Sequence, residues 1–310
     1  MQISILLAQQ IAQLFLILIM GYAVVKAGLL KASDSKVLSV VMVYLVTPCV
    51  IINAFQINDT PEIRKGLLYS MAIAAAIHVV LLGISALLSR PLKLDAVEQV
   101  NVIYSNAAAL VIPLVKALLG DEYVIYSCAF IIVQLVLLWT HASSLLQGSS
   151  ALDWKKVFTN INMIAIAAGA LLYWFRVVLP APLQNTMSTV GNMMGPMGML
   201  LAGMAIAEKP LRDVFCTCRN YLPTVLRLVV CPLVMLVLLL VCHASSWVAD
   251  GKNILMTVYL AAITPACATV TSMAQLYDRD AAHSSALYVL TTLLSIITMP
   301  VMIGLFDLLL

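Results

Sequence analysis

The chain has 310 residues, of which 63% are hydrophobic and only 10% charged. A soluble domain carries roughly a quarter charged residues, so this chain lacks the polar surface that solubility in water demands. Its net charge of +3 is too small to mark a nucleic-acid partner.

The apolar residues fall into blocks of about 20, the length a helix needs to cross ~30 Å of hydrocarbon. In chain order the predicted transmembrane helices are 5–24, 37–56, 67–88, 99–119, 123–146, 157–178, 183–207, 221–243, 253–276 and 281–308. The first is read as a retained helix rather than a signal peptide. No basic stretch precedes it, and Met20-Gly21-Tyr22 leads straight into a basic loop. Polar turns separate the segments, among them Ser33-Asp34, Asn58-Asp59-Thr60-Pro61, Gly120-Asp121, Pro180-Ala181-Pro182 and Asp250-Gly251. No connection is long enough to be a soluble domain.

Basic residues in the short connections set the expected orientation. The odd connections hold Lys26, Lys31, Lys36, Arg90, Lys93, Lys155, Lys156, Lys209, Arg212, Arg219 and Arg279. The even ones hold Arg64, Lys65, Arg176 and Lys252, with Lys116 near the end of the fourth helix. Odd connections are therefore expected in the cytoplasm, with both termini facing outward (periplasmic) across a cytoplasmic (inner) membrane.

The chain divides at its fifth connection into residues 1–147 and 148–310, five helices each. Thr47-Pro48-Cys49 in helix two answers to Gly195-Pro196-Met197-Gly198 in helix seven, and each is followed by a turn proline, Pro61 and Pro210. Asn106 to Pro113 in helix four answers to Thr264 to Thr271 in helix nine. Five is an odd number, so the second half enters from the opposite side. The expected fold is an all-α membrane protein, ten transmembrane helices as two inverted five-helix repeats.

Helices four and nine carry the candidate chemistry. Ser105 and Asn106 lie near mid-membrane with Pro113 seven residues on. Thr264, Pro265, Thr269 and Thr271 form the counterpart. Proline lacks a donor N–H and disturbs the helical ladder. A broken helix leaves backbone groups that only protein or a wet cavity can satisfy. It also sets half-helix N-termini, with positive dipole ends and free N–H groups, inside the bilayer. Ser105, Asn106, Pro113, Thr264, Pro265, Thr269 and Thr271 are the candidate substrate-binding residues. The simpler reading of each proline alone is a kink.

Other intramembrane polar residues are weighed against that site. Arg227, flanked by Leu226 and Leu228, is a candidate anion contact, but its nearness to Tyr221 favours snorkelling to the surface. Lys116 reaches either an anion or the outer surface. His78 is a candidate proton carrier set against a neutral, hydrogen-bonded histidine. His141 and His243 stand near helix ends. Gln134 is a candidate ion-coupling or anion contact; Gln134, Asn53 and Asn192 either bind substrate or bond between helices, with packing the default reading. No acidic residue lies at mid-membrane in helices four or nine, and Asp278, Asp280 and Asp307 belong to loops or ends. The methionines crowding helix seven, Met193, Met194, Met197, Met199 and Met204, are read as apolar filler rather than a sliding surface. Five of the seven cysteines lie in apolar segments as small hydrophobes. The Cys216-x-Cys218 pair falls short of the four ligands a zinc site needs. No metal and no cofactor is expected.

Asn106-Ala-Ala-Ala-Leu-Val-Ile-Pro113-Leu resembles the Asn-to-Pro-Leu stretch of the auxin efflux carrier family. Thr47-Pro48-Cys49-Val50-Ile51, Pro196-Met-Gly-Met-Leu-Leu-Ala-Gly203-Met and Thr291-Thr-Leu-Leu-Ser295-Ile-Ile-Thr298-Met-Pro300 are similar to its helices two, seven and ten. The likeness runs from Gly21 to Pro300 and rests on the order of the motifs, with Ala107 where the family usually has glycine. Short loops place the chain beside the bacterial malate or malonate permeases of that family, and the bile acid:sodium symporters share the fold group. The resemblance implies broken helices four and nine crossing at the site. It implies a scaffold of helices one, two, six and seven, with helices three to five and eight to ten as the transport domain. It also makes a homodimer through scaffold helices such as 37–56 and 183–207 plausible.

The leading expectation is a secondary transporter of small organic anions, carboxylates, working by alternating access in an elevator-like manner, with the lipid bilayer as its other partner. The alternatives are a sodium-coupled organic anion symporter, with H+ as the other coupling ion, and a membrane receptor that binds without transport. A membrane enzyme would need paired carboxylates, a zinc motif or an activated nucleophile, and an ATP-driven pump a phosphate-binding Gly-Lys loop. The sequence has neither pattern.

Overall fold

Wherever the sequence turns apolar the chain is helical, and its only extended pairing among the described residues is a single two-residue bridge. The computed structural model describes residues 2–56, 60–148, 159, 161–207, 211–248 and 250–310. Helix α1 is Gln2–Lys26, α2 Ala32–Asn53, α3 Pro61–Ser89, α4 Ala96–Ile103 and α5 Ala107–Leu118. Then come α6 Val124–Gln147, α7 Ile161–Trp174, α8 Ala181–Gly191, α9 Met194–Ile206 and the short α10 Leu211–Cys216. The chain ends with α11 Cys218–Val241, α12 Gly251–Ile263, α13 Ala268–Leu276 and α14 Ala281–Leu309. Helices α2, α3, α6, α11 and α14 are each long and apolar enough to cross a membrane. Phe15–Lys26 within α1, α7 and α12 are shorter apolar helices.

Local chemistry sets the helix starts. Thr60 Oγ1 accepts the Ile63 N–H at 3.3 Å and Pro61 takes the first helical position, so α3 begins six residues before the apolar run does. Asp95 and Glu98 cap α4 reciprocally, each accepting the other's backbone N–H at 2.8 and 2.9 Å. Asp280 accepts the His283 N–H at 2.7 Å to open α14.

Helices α2, α6 and α11 each contain one wide, π-type turn, at Met42–Val46, Leu138–Ala142 and Leu226–Val230. Two of these turns run into a proline, Pro48 and Pro232. The proline ring cannot continue the tight ladder, and the extra residue relieves it. Thr47 Oγ1 donates to the Met42 carbonyl at 2.8 Å beside the first.

Small residues set the closest approaches. A Cβ placed on Gly21 would stand 2.2 Å from the Leu200 carbonyl oxygen, and one on Gly203 2.0 Å from that of Leu18. Helices α1 and α9 therefore meet backbone to backbone, as small residues permit in membrane interiors. Helix α2 packs on α7 and α8, α3 on α6, and α12 on α3 and α6, while α14 runs along α4, α9, α11 and α13.

Charges sit at the two ends. Glu98 pairs with Arg219 at 2.6 Å and Lys36 with Asp278 at 2.8 Å at one end. At the other, Lys252 pairs with Asp307 at 2.9 Å, and the Tyr123 hydroxyl donates to Asp250. That carboxylate holds the Tyr123 phenol above its ordinary range. Asn58, Asp59, the fifth connection beyond Gly148, Lys209 and Pro210 lie outside the described residues, as do the side chains of Pro113 and Lys116.

Candidate functional site

Two helices are interrupted, and their interruptions meet. After Ile103 the chain extends through Tyr104 (φ −97°, ψ 127°) and resumes as α5 at Ala107. After Ile263 it extends through Thr264 (φ −59°, ψ 156°) and Cys267 (φ −76°, ψ 126°), then resumes as α13. Ser105 and Ala266 pair antiparallel where the segments cross. The Asn106 N–H donates to the Pro265 carbonyl at 2.8 Å, and the Cys267 N–H to the Tyr104 carbonyl at 3.0 Å.

Side chains from neighbouring helices hold this irregular backbone. Gln134 of α6 clamps Ser105: its Oε1 accepts the Ser105 N–H at 3.0 Å and hydroxyl at 2.7 Å, and its Nε2 donates to the Ser105 carbonyl at 2.8 Å. Thr291 of α14 accepts the Ala266 N–H at 3.1 Å. Backbone polar groups in an apolar interior must be paired, and these two side chains do it. Gln134 thus serves as an interhelical clamp.

Arg227 of α11 does the largest share. Its Nε donates to the Thr264 carbonyl at 3.1 Å, its Nη1 to Val102 and Ile103 at 3.1 and 3.2 Å, and its Nη2 to Thr264 at 2.8 Å and to Ala262. These are the last carbonyls of α4 and α12. The residue is 1% exposed, so the expectation that it snorkels to the surface is corrected. The physical reason is that two helix C-termini, with their unpaired carbonyls and negative dipole ends, converge on it inside the protein. A guanidinium has five N–H donors and no acceptor, and here every donor has a main-chain oxygen.

Pro113 also differs from expectation. Helix α5 runs from Ala107 to Leu118 through Pro113, and the break lies earlier, at Tyr104–Asn106. A proline well inside a helix removes one ladder bond, whereas the pairing to Gln134 and Pro265 replaces several. Pro265, in contrast, stands in the break of its own helix and lends its carbonyl to Asn106.

The starts of α5 and α13 lie side by side at the crossing. Asn106 precedes α5, is 4% exposed, and its Nδ2 reaches the Tyr288 hydroxyl at 3.4 Å. The opening N–H groups of the two helices, Ala107 in α5 and Ala268 in α13, lack the acceptor one turn back that a helix interior supplies, whereas the Val270 N–H already bonds the Cys267 carbonyl at 3.0 Å. Thr269 is buried in the first turn of α13. Around them stand Tyr288, whose hydroxyl donates to the Met199 sulfur at 2.7 Å, and Ser272, which donates to the Met42 sulfur at 3.2 Å. A Cβ on Gly198 would stand 2.7 Å from the Ala268 Cβ, so α9 lies directly against the start of α13.

The remaining candidates stand apart. Thr264 lends its carbonyl to Arg227 and its own hydroxyl to the Ala261 carbonyl at 3.0 Å. Thr271 bonds Ser284 at 3.1 Å, and Ser284 also receives Asn101 Nδ2 at 3.1 Å, a tie between α13, α14 and α4. His78 is fully buried, its Nδ1 on the Ala74 carbonyl at 2.7 Å and its ring 4.7 Å from that of Phe130. His141 meets the Tyr104 hydroxyl at 3.0 Å. Tyr288 and Thr291 are site residues that residue-by-residue reading passes over. Their signal was the hydroxyl-rich run in the last helix, Tyr288 to Ser295.

The membrane transport protein family matches this chain over residues 6–153 and again over 150–303. The chain belongs to that family. It is thus a multi-pass membrane protein of a transporter family, and both interrupted helices lie within the matched regions. No curated protein matches the chain.

Proposed function

We propose that this membrane transport protein carries small organic anions, carboxylates, and that the crossing of α4–α5 with α12–α13 is where it holds them. One observation carries the reading: the charges of the crossing are sorted. A helix end bears roughly half a charge, negative at the C-terminus and positive at the N-terminus. The two C-termini, of α4 and α12, are both turned on Arg227. Their roughly −1 in sum meets its +1. That leaves two N-termini, of α5 and α13, with roughly +1 between them. Helix N-termini with free N–H groups bind carboxylates and phosphates without a basic side chain. Asn106 adds a side chain that both donates and accepts.

The arrangement of packing supports alternating access. Helices α1, α2, α7, α8 and α9 pack among themselves, with α1 on α9 and α2 on α7 and α8. The interrupted helices pack with α3, α6, α11 and α14, and α13 also packs on α2 and α9, where the two groups meet. Counting α4–α5, α8–α9 and α12–α13 as one crossing each and leaving aside the short α10 gives ten segments, two inverted sets of five in the proposed topology. The first group would be the scaffold and the second the moving part, with the basic end at Glu98, Arg219 and Lys36 in the cytoplasm and both termini outside. The short connections fit the bacterial malate or malonate branch of the auxin efflux carriers.

Uptake of a panel of radiolabelled mono- and dicarboxylates into proteoliposomes tests the proposal. Saturable uptake of at least one carboxylate is expected. Saturable binding with no flux for any of them would contradict transport in favour of a receptor.

A further inference from the structure

In broken-helix transporters the unwound carbonyls and half-helix C-termini are the groups that coordinate a coupling cation such as sodium. This chain has such carbonyls, at Val102, Ile103, Ala262 and Thr264, and Arg227 binds all four. We propose that Arg227 is a built-in counter-cation, a positioning residue that ties α4 to α12 and fills the carbonyl cluster where a coupling sodium ion would bind. The inference deepens the anion-transport reading, since it assigns the coupling of that same crossing.

Three further facts support it. Arg227 is 1% exposed and comes from α11, a different helix from those it ties. Its charge is permanent, because guanidinium does not lose its proton in proteins. Among the described residues a further cation-attracting cluster is also engaged. The ligand atoms of Asp95, Glu98 and His283 lie within 4.8 Å of one another, yet Glu98 already accepts Arg219 Nε and Nη2, both at 2.6 Å. At both places a protein cation stands against the oxygens a metal ion would use. The crossing therefore binds its anion without a sodium ion, and the arginine supplies the charge balance at all times.

The test needs no substrate, so its failure is distinct from failure of the anion reading, which is judged by flux. Full-length wild type, Arg227→Ala and Arg227→Lys are purified in detergent. Each is assayed for saturable 22Na+ binding and for thermal midpoint in about 100 mM NaCl against the same concentration of choline chloride. Wild type is expected to show no saturable 22Na+ binding and equal midpoints in the two salts. Arg227→Ala vacates the carbonyls, so its lowered midpoint is expected to rise by about 2–4 °C in NaCl but not in choline chloride. Arg227→Lys keeps a charge at the cluster and is expected to stay insensitive to sodium, a distinction that a merely structural role would not produce. Saturable 22Na+ binding to wild type would overturn the proposal. So would an Arg227→Ala variant that folds and is as indifferent to sodium as wild type. Should Arg227→Ala fail to fold, wild type and Arg227→Lys still decide it, because sodium binding by either contradicts a filled cluster.

Discussion

Gln134 and Arg227 carry opposite lessons about single residues. Both are polar, both lie inside apolar helices, and both hold irregular backbone at the crossing. Gln134 was readable as an interhelical bond because amides at mid-membrane need partners. Its target, Ser105, could not be read, since the two are 29 positions apart. Arg227 was misread because its sequence neighbours suggest a path to the surface, while its acceptors come from α4 and α12. Replacing Gln134 by leucine keeps its bulk and leaves the Ser105 N–H and carbonyl unpaired. A buried unsatisfied group costs about 1–3 kcal/mol, so Gln134→Leu is expected to lower stability by about 2 kcal/mol or more. Thermal unfolding in detergent measures it. A midpoint equal to wild type would show that the Ser105 backbone finds other partners.

At the scale of helices, length and hydropathy located the elements, and glycine explains how two of them touch. The break in helix four was expected because proline and asparagine stand in it, yet it falls at Tyr104–Asn106 rather than at Pro113. What fixes it is tertiary: the bridge to Ala266 and the clamp from α6. Local sequence contains neither. The contact of α1 with α9 was visible only as a family-like glycine pattern until Gly203 met the Leu18 carbonyl. Gly203→Ala would thrust a methyl group into that oxygen and must separate the helices, so it is expected to cost about 1–3 kcal/mol, the usual range for overpacking. Gly304→Ala, on α14 with nothing within 4 Å of the new methyl, is expected to be neutral. Equal thermal midpoints for the two variants would contradict the close packing of α1 on α9.

The whole molecule joins the two helix groups through few polar contacts. Lys36 of α2 pairs with Asp278 just beyond α13, and both side chains are well exposed. An exposed pair of this kind contributes about 0–1 kcal/mol, small enough to form and break during a transport cycle. If α13 moves against α2, tethering this point should stop the cycle. Lys36→Cys with Asp278→Cys, bridged by a short reducible bis-thiosulfonate, is expected to abolish flux, and reduction to restore it. The exposed Cys216, Cys218 and Cys242 must first be replaced by serine to keep the reagent on the new pair. Undiminished flux in the fully bridged protein would show that the two groups do not move apart here. The membrane class of the chain was legible from composition alone, because no water-soluble surface can be built from so few charges. The pairing of the two interruptions required three dimensions, since its members lie in the first and second halves of the chain.

The central claim is that two half-helix N-termini, helped by Asn106, recognise negative charge. The most direct measurement compares proteoliposome transport of a radiolabelled carboxylate with that of its neutral amide, for wild type and Asn106→Ala. Saturable transport of the carboxylate and none of the amide is expected. Asn106→Ala is also expected to weaken the apparent affinity for the carboxylate by about tenfold or more, the equivalent of about 1.4 kcal/mol for a lost hydrogen bond to a charged group. Equal transport of acid and amide, or an Asn106→Ala protein that binds and carries the carboxylate as well as wild type, would contradict the claim.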